Sequence, residues 1–395
     1  MTRILLVDCN NFFVSCEELF NPSLKGKAVC VLSNNDGCIV SRSNKAKDSG
    51  IPMGMPYFMA KRKFKNAIYI SGNLSKYSEI SKRIMQKLHD YTPVVEIYSI
   101  DEAFLDVEGT QKLHKMTPVQ IADKIRKDIK EQIGIEVSIG VSKTKTLSKI
   151  ASEIAKNNTR KNIKTDYEGV FEIDDNNIEK ILSSMPVEEI WGVGKNLQKF
   201  FRKHNILSAK DYINSDDGFI QRNLGKKGLE LKEELKGTIK YPVSQIEEPP
   251  KSISRSASFK EFTTDKDYIK NSLNYHLHKI CIKLRKYDLS AYSMEVMLRT
   301  KDFKVTKEKI SFETPKMSEF ELYKKMHELF EFIYKENVIY RSSGVSVFRL
   351  TPAQNVQLML FESEAAKKKR KLSDAWDKIE QKFGYGALNI GIKNK

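Results

Sequence analysis

Two adjacent acidic residues, Asp101 and Glu102, separate two apolar segments, residues 94–100 and 103–107. This pattern predicts two strands joined by a tight turn that carries both carboxylates. Mutual repulsion and partial desolvation disfavour their charged forms, so buried carboxylates this close need a compensating cation. Oxygen ligands without histidine or cysteine favour Mg²⁺ over zinc. Taken alone, the segment is also compatible with an exposed acidic turn.

Asp8 is a third candidate ligand, because it ends the apolar run 4–7, which predicts a buried strand. If this strand neighbours the 94–107 hairpin, Asp8 meets Asp101 and Glu102. Three carboxylates can hold two metal ions about 3.5–4 Å apart, an arrangement that serves phosphoryl or nucleotidyl transfer. In such chemistry the protein mainly positions groups and neutralises charge, so acids with nearby lysine or arginine suffice.

The elements around these acids predict a ferredoxin-like sheet. Residues 76–90 and 118–133 have helical periodicity, 136–141 reads as a strand and 145–156 as another helix. With the first strand and the hairpin, this order gives the split βαβ pattern. We expect helices on one face of the sheet and an open second face that suits a large substrate.

Three further segments complete the predicted organisation. Residues 20–72, interrupted by glycine and proline, predict a small module inserted between larger elements. Residues 216–237 predict short polar helices, and Glu247-Glu248-Pro249-Pro250 predicts a linker before a second mixed α+β domain. His276 and His278 are expected on the surface of a helix in that domain rather than as a metal pair.

Composition limits the class of protein. The chain has 395 residues and a formal net charge of +17, which indicates two to four domains and favours a polyanionic partner such as nucleic acid. A lysine-rich proteome is the alternative explanation of the charge. Five cysteines without a CxxC pair argue against disulfides and zinc. No apolar run reaches the ~20 residues of a membrane span, and no secretory leader is visible, so we expect a cytoplasmic protein.

Several motifs resemble those of Y-family DNA polymerases, in family order and at family spacing. They are DCNNFFVSCE at residues 8–17, SIDEA at 99–103, and GVSKTK at 140–145 with KIAS at 149–152. VLSNNDGC at 31–38, followed by Arg42, is similar to the UmuC branch in particular.

The resemblance implies roles for residues near the acids. Asp8, Asp101 and Glu102 would be the catalytic ligands of two Mg²⁺ ions, with the Cys9 carbonyl joining them. Phe13 falls where the family has its steric gate, a ring that leaves no space for a 2′-hydroxyl. The alternative is that Phe13, like Phe12, is a core residue.

The resemblance also implies which cations bind the triphosphate. These are Arg42, Lys47 and Lys156. Other branches carry Tyr-x-x-Arg where this chain has Asn44-Lys45-Ala46-Lys47, so a point charge replaces the forked arginine contact and Arg42 is the substitute.

Contacts to DNA are expected from two later regions. Trp191-Gly192-Val193-Gly194-Lys195 precedes a basic helix and resembles a helix-hairpin-helix turn, whose amides approach a DNA phosphate. Lys251 and Arg255 open a domain that resembles the little finger. In the tail, Gln357, Leu358, Leu360 and Phe361 form QLMLF, which resembles the bacterial motif for the sliding clamp.

The implied fold is α+β and multidomain, a right-hand polymerase. Its expected parts are a palm at 1–19 and 73–165, fingers at 20–72, a thumb at 166–240, a linker at 241–250, a little finger at 251–350 and a tail at 351–395.

The implied function is error-prone translesion synthesis on primer–template DNA from dNTPs, in the SOS response to DNA damage. The UmuC resemblance further implies a UmuD-type dimer and a RecA filament as partners. Two alternatives stay open: a non-catalytic DNA-binding scaffold, and a metal-dependent nuclease or nucleotidyl cyclase with a similar sheet.

Overall fold

The computed structural model describes residues 3–160, 167–245 and 249–353, and six positions between 372 and 382. The chain divides into two compact units, Met1–Glu247 and Glu248–Lys395. Within these described ranges, no helix is long and apolar enough to cross a bilayer.

The first unit opens with a strand and a helix that lead into a small module. The elements are β1 (Ile4–Cys9), α1 (Phe12–Phe20), β2 (Val29–Leu32), β3 (Ile39–Arg42), α2 (Asn44–Asp48), α3 (Tyr57–Lys63) and β4 (Ile68–Ser71). The module is a three-stranded sheet of order β3-β2-β4, in which β2 is antiparallel to β3 and parallel to β4. The module has a hydrophobic core, separate from that of the rest of the unit, that includes Cys30, Leu32, Ile39 and Ile51.

The next elements return to the sheet that β1 belongs to. They are α4 (Leu74–Leu88), β5 (Val95–Ile97), β6 (Glu102–Asp106), α5 (Thr110–His114), α6 (Pro118–Ile133), β7 (Val137–Ser142), α7 (Lys145–Arg160) and β8 (Val170–Glu172). The sheet order is β5-β6-β1-β7-β8, with β1 antiparallel to both of its neighbours.

One face of this sheet packs on helices as the sequence predicts. Leu5 and Val7 point into the same core as Ile84 of α4 and Ile125 of α6. A capping box at Thr117, with a proline at the first helical position, starts α6 at the predicted residue.

The prediction of an open second face is wrong, because α7 lies across it. Gly140 makes this close approach possible: a Cβ there would lie 2.0 Å from the Ser148 carbonyl oxygen. The Ser148 hydroxyl in turn donates to the carbonyl of Ile4 at 2.7 Å. The alternation of side chains along β1 places Ile4, Leu6 and Asp8 on this second face.

A helical region completes the first unit. Its helices are α8 (Ile178–Ser184), α9 (Lys195–Lys203), α10 (Ala209–Asn214) and α11 (Asp217–Leu235). Where short helices were predicted, α11 is one 19-residue run with a break at Gly225, whose φ is 65°. After α11 the chain crosses the sheet, where Val243 packs on Ile4, Leu6 and Phe104.

The second unit is a sheet with two helices. Its elements are β9 (Ser252–Thr263), α12 (Lys266–Lys286), β10 (Leu289–Thr300), β11 (Val305–Lys316), α13 (Glu319–Ile333) and β12 (Tyr340–Pro352). The strands form an antiparallel sheet of order β11-β10-β12-β9. Residues of α12, α13 and the sheet share one core.

His276 and His278 are buried in this unit, with 1% and 2% of their surfaces exposed, so the prediction of surface histidines is wrong. His278 meets the buried carboxylate of Glu319, and its ring nitrogen lies 3.1 Å from Glu319 Oε1. The buried surface of α12 thus extends beyond its apolar residues to both histidines. The sequence pattern of the helix does not indicate this wider burial.

Candidate active site

Strand pairing brings the predicted carboxylates together at one end of β1 and β6, two neighbouring strands inside the five-stranded sheet. Asp8 of β1 stands directly opposite Glu102 of β6 in the antiparallel register. The Cys9 amide donates to the Asp101 carbonyl at 2.9 Å, which fixes the start of the hairpin strand against the end of β1. The Cys9 side chain lies in the core on the other face, so only its backbone faces the acids.

Two lysines of α7 neutralise this pair. Lys156 Nζ lies 2.8 Å from Asp8 Oδ2, and Lys149 Nζ lies 2.6 Å from Glu102 Oε1. These lysines are seven residues apart, two turns of one helix, and so share a face. The third acid, Asp101, accepts a 2.6 Å hydrogen bond from the Ser99 hydroxyl.

The electrostatics of Asp8 reflect its burial. Burial raises the pKa of this carboxyl to about 7, against the lowering effect of Lys156, and the neighbouring charges of Glu102 and Asp101 raise it further. A carboxylate in that position is held ionised only by a cation.

The three acids fit a hard metal ion in their chemistry, although Asp8 and Glu102 are bound to lysines. Among the described residues, no three His, Cys, Asp or Glu side chains converge as a ready metal site. Oxygen donors are nonetheless the ligands that Mg²⁺ prefers, and the two ammonium groups stand where compensating positive charge is needed.

Phe13 lies in the first turn of α1 and is half-buried, whereas Phe12 is buried in the core. The Phe13 ring stacks on Tyr77, with centroids 4.7 Å apart and 18° between the planes. The Tyr77 hydroxyl donates to Glu17 Oε1 at 2.7 Å. Sequence analysis missed this support, because Tyr77 is far from Phe13 along the chain and no local pattern links the two rings.

The three predicted triphosphate ligands are placed differently. Lys156 lies at the carboxylates, as described. Arg42 donates to the Ile51 carbonyl within the inserted module, and Lys47 is half-buried on α2. The Asn44 amide oxygen accepts from the Asn11 side chain at 3.0 Å, which links the start of α2 to the start of α1.

The predicted helix-hairpin-helix turn lies beside the hairpin that carries Asp101 and Glu102. The Trp191 ring packs edge-on against Tyr98, with centroids 5.5 Å apart, and its indole N–H donates to the Tyr98 hydroxyl at 3.2 Å. Gly192 has a φ of 92°, and Gly194 directly precedes α9. Lys195, the first residue of α9, is exposed. Trp191 therefore packs on the sheet, while the glycines and Lys195 face outward.

The two cations predicted in the second unit are also placed differently. Lys251 is exposed at the start of β9. Arg255 is half-buried, lies 4.8 Å from the Tyr275 ring centroid and donates to the Tyr275 hydroxyl at 3.2 Å. The QLMLF segment at 357–361 lies outside the described residues.

Comparison with known proteins identifies the family. Residues 7–153 match the model of the impB/mucB/samB family, and residues 250–360 match that of its C-terminal domain. Protein ImpB of Salmonella typhimurium is 31% identical over 95% of this chain and 90% of its own. Protein UmuC of Salmonella typhimurium is 29% identical over 97% and 92%. A DNA polymerase IV of Desulfatibacillum aliphaticivorans is 28% identical over 98% and 95%.

Solved structures agree with this placement. A "Y-family DNA polymerase chimera Dbh-Dpo4(243-245)-Dbh" superposes with a TM-score of 0.70 at 25% identity, over 88% of this chain and 98% of that one. The fold class is thus that of a Y-family DNA polymerase, with a ferredoxin-like palm, small fingers, a helix-hairpin-helix thumb and a little finger. Within that class the chain belongs to the impB/mucB/samB family and is similar to UmuC. It is a DNA-directed DNA polymerase, and the predictions of fold, family and enzyme class are confirmed.

Proposed function

We propose that this polymerase extends primers past damaged template bases with two Mg²⁺ ions held by Asp8, Asp101 and Glu102. The single observation that carries the proposal is the register of β1 and β6, which sets Asp8 directly opposite Glu102 under the lysines of α7. When bound, such ions activate the attacking oxygen and neutralise charge on the phosphates.

The side chains of the chain have defined tasks in this reaction. The primer 3′-hydroxyl oxygen attacks the α-phosphorus of a dNTP, and pyrophosphate leaves. Asp8, Asp101 and Glu102 would hold the metal ions, with the Cys9 carbonyl as a further ligand. Lys156 and Lys149, which neutralise Asp8 and Glu102 here, would then be available to the negatively charged triphosphate. Lys47 and Arg42 would supply further positive charge from the fingers.

Primer extension with purified full-length protein tests the function. We expect Mg²⁺-dependent extension on undamaged templates and on templates with an abasic site, and none with a chelator. If no extension occurs, the assay is repeated with a sliding clamp, a UmuD-type dimer and RecA filaments. If no primer extension occurs in that complete system although DNA binding is intact, the result would favour the non-catalytic scaffold.

We propose these partners because the chain is similar to UmuC over 97% of its length. The sliding clamp would bind Gln357, Leu358, Leu360 and Phe361, through a peptide that gains affinity from its tether. The DNA-damage response and a cytoplasmic, nucleoid-associated location belong to the same proposal. For the DNA itself, we propose contacts from Gly192, Gly194 and Lys195 in the thumb and from Lys251 and Arg255 in the little finger.

Substitution of Phe13 tests the steric gate. With Phe13→Ala, we expect the preference for dNTP over rNTP to fall by roughly 100-fold, because the ring that excludes a 2′-hydroxyl is lost. The measurement is kcat/KM for single-nucleotide insertion of each substrate. Tyr77→Phe is the matched control: it keeps the ring stacked under Phe13 and loses only the bond to Glu17, so the preference should stay near wild type. An unchanged preference in Phe13→Ala would leave Phe13 a packing residue.

A further inference from the structure

A basic pocket lies in the fingers module, near the amino-terminal ends of β2 and β4. It has a volume of about 640 Å³ and is lined by Lys27, Lys45, Lys63 and Lys65. The rest of its lining is uncharged and includes Ile51 and Phe64. Four ammonium groups from three separate segments therefore converge on a partly apolar floor.

The positive charge of this pocket is not balanced locally. The four lysines are exposed, and none of them forms an ion pair with a carboxylate in the described part of the chain. Elsewhere in the first unit, some exposed lysines do have partners: Lys130 Nζ lies 2.6 Å from Glu136 Oε1. Residues 20–72 carry nine lysines and arginines against two aspartates. Such a concentration repels itself and attracts a polyanion.

The pocket is distinct from the candidate active site. Arg42, Lys47 and Lys156 do not line it. Lys45 and Lys47 are two positions apart on α2, and because each helical residue turns by about 100°, they point to nearly opposite sides. The pocket therefore uses the side of α2 that Lys47 does not.

We propose that this pocket binds single-stranded DNA, with phosphates on the lysines and a base on the apolar floor. Sites for single-stranded nucleic acid combine a basic groove with an aromatic side chain on which bases stack. Here Lys63 Nζ lies 5.3 Å from the centroid of the Phe64 ring, so charge and aromatic surface belong to one feature. An acidic peptide would satisfy the charge but has no base to stack. This binding needs no catalysis and goes beyond the proposed reaction.

The test compares two double variants of the full-length protein that remove the same charge from the same short segment, residues 61–65. Lys63→Ala/Lys65→Ala removes two of the four lysines that line the pocket. Lys61→Ala/Arg62→Ala changes two exposed residues of α3 that do not line the pocket. Fluorescence anisotropy of labelled oligo(dT) at several salt concentrations gives the affinity and its salt slope. We expect the first variant to lower the slope by about 1.4, since each lost contact to a single strand accounts for ~0.7, and the control to leave it unchanged. Equal effects of both pairs, or no effect of the first, would overturn the proposal.

A local readout separates this pocket from other DNA contacts. An oligonucleotide with 5-iododeoxyuridine, crosslinked by light and mapped by mass spectrometry, should attach within residues 63–68. Crosslinks only in the thumb or little finger would overturn the proposal, as would competition by poly-glutamate as strong as that by oligo(dT). Single-nucleotide primer extension by the Lys63→Ala/Lys65→Ala variant should remain at the wild-type rate. Failure of extension in the wild type would count against the proposed reaction, while the binding results would still decide the pocket.

Discussion

With Asp101→Asn, primer extension is expected to slow by roughly 10²–10³-fold at saturating dNTP, because one charge that holds the metals is lost while shape is kept. Asp101 lies two residues after Ser99 and accepts a 2.6 Å hydrogen bond from its hydroxyl. The side-chain oxygen of asparagine can accept the same bond. Single-turnover insertion in a quench-flow instrument measures the chemical step. Thermal unfolding of both proteins should show that the variant remains folded.

The matched control for this substitution is Asp106→Asn. Asp106 lies at the other end of β6, opposite Ile4, and is half-buried like Asp101. Its oxygen accepts from the Glu108 amide at 2.8 Å, which asparagine can also do. Its rate should stay near wild type. If both variants lost activity equally, the cause would be damage to the hairpin, and full activity of Asp101→Asn would contradict the site assignment.

The largest effect on stability is expected from Glu319→Gln in the little finger. The Glu319 carboxylate has 1% of its surface exposed and receives two 2.8 Å hydrogen bonds from Arg285, whose side chain is 9% exposed. Removing the charge breaks a pair whose two side chains are almost fully shielded from solvent, which costs about 3–5 kcal/mol. Hydrogen exchange of amides in β10 and β12 reports the free energy of opening this unit within the full chain.

Glu328→Gln is the control on the same helix. Glu328 is exposed and lies 2.7 Å from Lys325, an ion pair of the surface kind. Its loss should change the free energy of opening by less than about 1 kcal/mol. Similar losses from both substitutions would show that burial of the Glu319 pair is not what stabilises the unit.

The same pair predicts a dependence on pH. Burial alone would raise the pKa of Glu319, but hydrogen bonds from His278 and Arg285 outweigh it and lower the pKa to about 2, from 4.5. Because the folded pKa lies below the unfolded one, the stabilisation is full above pH 4.5 and is lost as pH falls toward 2. The difference in stability between wild type and Glu319→Gln should shrink over that range. A constant difference down to pH 2.5 would contradict this explanation.

The parts of the site that the sequence predicts are those set by local pattern. Asp8 ends an apolar strand, and the acids 101 and 102 separate two more, so their meeting needs only that these strands be neighbours. The bounds of α6 were predictable for a similar reason, since its capping residues are adjacent in sequence.

What sequence analysis missed depends on tertiary packing. Nothing local indicates that Lys149 and Lys156 bind the acids or that Tyr77 lies under Phe13, because these partners are 47 to 148 residues apart along the chain. The prediction of an open second face did not consider that Gly140, which lacks a Cβ, lets α7 pack closely on the sheet. Two elements of the little finger were not predicted. The edge strand β11 is mostly polar, so its sequence does not indicate a strand. The helix α13 was overlooked, although the spacing of Leu322, Met326, Phe330 and Ile333 does indicate it.

Metal counting tests most directly whether Asp8, Asp101 and Glu102 bind metal ions, with Asp8 and Glu102 exchanging their lysines for them. Titration with Mn²⁺, followed by electron paramagnetic resonance, would be carried out with primer–template DNA and a non-hydrolysable dNTP analogue bound. We expect about two Mn²⁺ ions per wild-type chain, two for Asp106→Asn, and fewer or much weaker binding for Asp101→Asn. Equal uptake by Asp101→Asn and the wild type would contradict a metal site built on these carboxylates.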